Sequence, residues 1–171
     1  MSSSFDAPNQ VNNPFGASIP TVVREQHTFH RSGSLVTTGT NGLIWMGVYD
    51  PAGSNAGTHQ CPIYTDFKIK RVMITSNGPE FSGGTLNGQV YNGGTLLYES
   101  GAIAAADFED SSGAAPAGQR SCTWVSPELD IDVSATPSAL AFLTAAIIAS
   151  GVTGGPEGAC VTVVITRPID E

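Results

Sequence analysis

LDIDVSATPSALAFLTAAIIASGVTGGPEGACVTVVIT, residues 129–166, decides the fold class. Leu129, Ile131 and Val133 alternate with Asp130 and Asp132, a period of two that puts apolar side chains on one face and carboxylates on the other. Ala159 to Thr166 is dense in Val, Thr and Ile, the β-branched types that pack well on a pleated surface. Between them, Ala139 to Ser150 fits two templates. Thr136 as N-cap, Pro137 in the first turn and Gly151 past the end suit a helix. As a strand, Leu140, Phe142, Ala146 and Ile148 share one face, with Leu143 and Ile147 on the other. The β character on both sides favours the strand.

The same rhythm runs back toward the N-terminus. Leu43 to Tyr49 is a continuous apolar run, followed by a turn-rich loop from Asp50 to Gly57. Asp66 to Ile74 reads as a strand in which Phe67, Ile69, Arg71 and Met73 point one way and Lys68, Lys70, Val72 and Ile74 the other. Leu86 to Tyr91 and Thr95 to Tyr98 flank Asn92-Gly93-Gly94, a hairpin signal. Phe108 to Gln119 is small and polar, and reads as a solvent loop. The expected architecture is an all-β, antiparallel sandwich over residues 43–171.

Residues 1–42 look different. Ser, Asn, Thr, Pro and Gly dominate, and large apolar residues are scattered. Such a segment cannot offset its own ordering entropy, so it is expected to be an extended arm ordered by a partner. Pro8, Pro14 and Pro20 withhold backbone donors and oppose a helix. Phe5, Val11, Phe15 and Ile19 are its candidate partner-binding anchors.

Seven Lys+Arg against fifteen Asp+Glu give a formal net charge of −8, which argues against a phosphate-backbone binder. Charged residues are only 13 %, so Ser, Thr, Asn and Gly must supply surface polarity, and these cost less to desolvate at protein contacts. Cys61, Cys122 and Cys160 are odd in number and lack metal-ligand spacing, consistent with three reduced thiols. The first residues carry no secretory-leader pattern, and Ala139 to Ala149 is too short to span a bilayer. A soluble product of a reducing cytosol is expected.

Motifs for chemistry are missing. His27 and His30 lack the Glu of a zinc-protease frame, and on a strand they fall on opposite faces. The ladder Glu128, Asp130, Asp132 is too stretched to converge on calcium; a solvated strand face, or cross-strand ion pairs with Lys68 and Lys70, suits it better. Asp107, Glu109 and Asp110 read as a solvated loop. Trp45 and Trp124 would suit sugar stacking, but each sits in an apolar run that favours core packing. No nucleophile elbow or phosphate loop appears. The chain reads as a non-enzyme without catalytic residues, cofactor or metal.

From FKIKRVMI through LNGQVYNGGTLLYES and LDIDVSATPSALAFLTAAIIASG to ACVTVVIT, residues 66–169 resemble the jelly-roll β-sandwich of tailed-phage virion proteins. The resemblance covers about three-fifths of the chain and lies in order and rhythm. It implies core positions at Val90, Leu96 and Leu97, and usually a homotrimer. Capsid decoration (cement) proteins, head fibres and fibre tips all use such modules. An arm and no shaft imply a decoration protein, made in host cytoplasm, that binds the major capsid protein or another virion protein. The alternative is a glycan- or receptor-binding tip, or a free lectin-like module. Neither nucleic acid nor membrane is an expected partner.

Overall fold

A computed structural model describes residues 10–12, 18–20, 22–31, 33–45, 61–77, 83–110, 121–135, 141–154 and 157–168. In chain order its strands are β1 Gln10–Asn12, β2 Ser18–Pro20, β3 Val22–His30, β4 Gly39–Gly42, β5 Ile44–Trp45, β6 Cys61–Ile63 and β7 Phe67–Asn77. They continue as β8 Gly83–Asn92, β9 Thr95–Glu99, β10 Ile103–Ala104, β11 Glu109–Asp110, β12 Ser121–Val125, β13 Ile131–Val133, β14 Ala141–Thr153 and β15 Glu157–Pro168. One 3₁₀ turn, Ala105–Asp107, is the helical element among the described residues.

Two antiparallel sheets form the sandwich. The seven-stranded sheet runs β11-β12-β7-β15-β3-β5, with β13 also on β7. The six-stranded sheet runs β10-β8-β14-β4, with β6 also on β14 and β9 on β8. Among the principal strands β3, β4, β7, β8, β9, β12, β14 and β15, the first, eighth, third and sixth share one sheet. The second, seventh, fourth and fifth share the other. Except at the β8–β9 hairpin, each of these strands is followed by one in the opposite sheet. That connectivity is a jelly roll.

The ambiguous segment is a strand. Leu143, Ala145, Ile147 and Ala149 of β14 face the core, and β8 pairs with it from Leu143 to Ser150. Alanine's helix propensity yields here because a ladder on both flanks satisfies the backbone. Opposite it in the sandwich, Ala159, Val161, Val163 and Ile165 of β15 are fully buried. Thr136 and Pro137 lie outside the described residues.

Several expectations change. The boundary at residue 42 does not hold: β3 pairs with β15 along nine residues, β4 pairs with β14, and Phe29 and Leu35 are buried. β3 reads as an arm because it buries only one large apolar side chain fully; on the same face Val23 is only partly buried, and Glu25 and His27 take the positions between it and Phe29. The hairpin turn is two residues, Gly93-Gly94, with φ of 54° and 91°, values that suit glycine. A register shift between Val90 and Tyr91 buries Val90, half-buries Leu97 and leaves Leu96 exposed, where a core position was implied. The strand expected from Leu129 is shorter, Ile131–Val133, although Leu129 still packs against the core. Phe108, expected in a solvent loop, is buried, and β11 pairs with β12. Residues 46–60 and 111–120, including the expected Asp50–Gly57 loop, lie outside the described residues.

β7 departs most from simple alternation. Val164 pairs with Arg71 and Ile165 with Ile69, so Lys70 is an extra residue without an opposite number on β15. This bulge resets the faces. Phe67, Ile69, Val72 and Ile74 all point into the core. Lys68, Lys70 and Arg71 are left partly exposed.

Candidate functional site

Among the described residues, the two N-terminal strands pair only with each other. β1 and β2 form a two-stranded sheet with Gln10 opposite Pro20, Val11 opposite Ile19 and Asn12 opposite Ser18. The arm therefore folds back on itself rather than running straight. Val11 and Ile19, two of the four expected anchors, are register partners; Phe5 and Phe15 lie outside the described residues. An isolated two-stranded ribbon is marginal in water.

A polar network closes one end of the sandwich. Arg167 Nε donates to Glu25 Oε1 at 2.6 Å, and Glu25 Oε2 lies 3.3 Å from His27 Nε2. His27 Nδ1 is 3.2 Å from Cys61 Sγ, which joins β3 of one sheet to β6 of the other. Burial, and then the Glu25 charge, push the Cys61 thiol up to about 11. Its S–H is therefore kept near neutral pH, beside Nδ1, while the buried Nε2 makes no hydrogen bond among the described residues, although Glu25 Oε2 is the carboxylate it faces. A protonated, 1 %-exposed thiol is not an activated nucleophile, so the network ties the sheets together. Three strands distant in sequence build it, and no spacing rule would have found it. Beside it, Pro62, Tyr64 and Thr65 help line a depression of about 250 Å³, and Tyr64 is 66 % exposed.

The acidic ladder pairs as its spacing suggested. Asp132 is opposite Lys68 in the β13–β7 register. Lys70 Nζ donates to Asp130 Oδ1 at 2.6 Å, and Lys68 Nζ lies 3.1 Å from Asp132 Oδ1 and 3.5 Å from Asp130 Oδ2. The Lys70 hydrogen bond, with both lysine charges, holds the Asp130 carboxyl below the usual carboxylate range. The hydrogen bond that Lys68 donates to Asp132 leads the causes that raise its pKa. These groups are exposed, so the pairs orient side chains more than they stabilise the fold.

His27 and His30 behave separately, as their spacing on a strand requires; His30 Nδ1 lies 3.1 Å from the Ile44 carbonyl. Trp45 and Trp124 are partly buried against the core. Among the described residues no three His, Cys, Asp or Glu side chains are placed to hold a metal, and no helix is long and apolar enough to cross a membrane.

No family model and no curated protein matches the chain. Among solved structures, the cyanophage Pam1 capsid asymmetric unit is 12 % identical at a TM-score of 0.40, covering 98 % of this chain and 100 % of that one. A structure of infectious bursal disease virus, Gx strain, is 13 % identical at 0.41, covering 92 % of this chain and 36 % of its own. A disulfide-linked pilus of Bacillus endospore appendages is 11 % identical at 0.30, covering 88 % and 90 %. Likeness at this level carries no argument about what the chain does.

Proposed function

We propose that the chain is a structural virion protein whose jelly-roll body decorates and stabilises a phage capsid, with its N-terminal arm on neighbouring subunits. The separation of the two-stranded β1–β2 ribbon from both sheets of the body carries this reading. The body builds its core from β3 onward, while the arm offers Phe5, Val11, Phe15 and Ile19, and its β1 and β2 pair with no strand of the sandwich among the described residues. A ribbon that is marginal alone becomes worthwhile once its apolar side chains meet a surface. The low charge density suits a protein packed on protein, as a homotrimer on the major capsid protein or another virion protein. The protonated, buried Cys61 thiol in the network at the sandwich end fits structural duty rather than turnover.

Full-length protein sedimented with purified empty capsids tests the proposal. Stoichiometric co-sedimentation supports it, and protein left in the supernatant at all ratios refutes it. The second reading, a glycan-binding tip, is favoured by one observation. Tyr64 presents an open aromatic side chain beside Glu25 and Arg167, a combination that suits a sugar face and its hydroxyls. A glycan-array signal abolished by Tyr64→Ala would select it.

A further inference from the structure

The bulge at Lys70 has a consequence on the outer face of the seven-stranded sheet. Unbroken alternation from Phe67 would have sent Arg71 into the core; instead Lys68, Lys70 and Arg71 share the outer face. Arg24 of β3 joins them across β15, opposite Thr166. Lys68 and Lys70 are held by Asp130 and Asp132, but neither Arg24 nor Arg71 has an ion-pair partner among the described residues. Both line a cleft of about 300 Å³ with Lys70, Glu128 and Thr166. With β15 between them, Arg24 is level with Thr166 and Arg71 with Val164, so two strand spacings and a two-residue offset put their Cα atoms about 12 Å apart. Among the described residues around the cleft, four cations stand against three carboxylates, on a chain of net charge −8.

We propose that this cleft receives the acidic segment Asp107–Asp110 of a second copy of the chain. Guanidinium forks match carboxylates in a way a lysine does not. Glu128 within the cleft, and only two unpaired cations, disfavour a phosphate backbone. The acidic segment is well placed for such a contact: among the described residues β11 is an edge of the seven-stranded sheet, and Asp107 before it is exposed. A face that meets the edge of the next copy makes a heterologous contact, the kind that closes into rings. The inference rests on the reading that the chain self-assembles, and it names the contact.

The test is the mass of the full-length protein by light scattering over a dilution series. Association is expected at about 50 mM salt, with single chains at about 1 M. Arg24→Glu with Arg71→Glu should weaken association at least about tenfold, as should Asp107→Lys with Glu109→Lys and Asp110→Lys. Combining both sets in one chain reverses both partners and should restore association. Each variant is compared at an unchanged melting transition; if a reversal unfolds the protein, Arg24→Ala with Arg71→Ala takes its place and should also weaken association. A combined variant as weak as either parent overturns the inference, and so does a wild type that is a single chain at low salt. Unchanged mass with lost heparin retention in the arginine variant overturns it too, in favour of a polyanion ligand. An arginine reversal that binds capsids and keeps the wild-type mass sinks this contact and leaves the virion reading standing.

Discussion

Gly88 of β8 sits against Ile74 of the facing sheet so closely that a Cβ on it would stand 2.6 Å from Ile74 Cδ1. Ile74 is fully buried and cannot swing into solvent. Gly88 has no positive φ, so alanine fits the backbone and the conflict is purely steric. Gly88→Ala should destabilise by about 1–3 kcal/mol through overpacking, more than the gain of about 0.5–1 kcal/mol from removing a strand glycine. Urea melts decide the matter; a stabilised variant would mean the sheets lie further apart.

Cys61 should make stability fall in alkali. Its pKa is raised in the fold from 9.0 to about 11, so the folded state keeps the proton that the unfolded state releases. The contribution is complete below about 9 and is lost as pH rises from there through about 11. Urea midpoints across this range should drop in the wild type, with a shallower drop in Cys61→Ala. Equal slopes would mean that the thiol is open to water.

Asp130 has the opposite sign. Its folded pKa is depressed, so its pairing is present above the ordinary carboxylate range and lost as pH falls through the lowered value. A carboxyl-detected NMR titration should show Asp130 titrating below the usual carboxylate range, and Lys70→Met should move it back up. High salt should narrow the gap, because both partners are exposed. An Asp130 unaffected by Lys70→Met would contradict the 2.6 Å contact.

Much of the body was legible because period-two patterning survives wherever one face is buried. The Val-Thr-Ile run of β15, the Asp130/Asp132 face and the Asn92-Gly93-Gly94 turn all have local physical causes, and each sits close to where those causes put it. The errors arise where distant residues intervene. Alternation through β7 fails because β15 forces a bulge at Lys70, which no local pattern announces. β3 passed for an arm because its inward face carries Glu25 and His27, whose partners Arg167 and Cys61 lie far along the chain. The end network was invisible for the same reason: its members come from three separate strands.

The arm's independence from the body is the central claim, and truncation tests it most directly. Val22 and Val23 pair with Pro168 and Arg167, so the cut belongs after Thr21. Each buried anchor would contribute roughly 1.5–3 kcal/mol to the grip on a neighbour before the cost of ordering the arm. Full-length and truncated proteins are melted alone and then sedimented with capsids at matched concentrations. The account predicts nearly equal melting temperatures and a large loss of capsid binding in the truncated form. Undiminished binding, or a collapsed melting temperature, would contradict it.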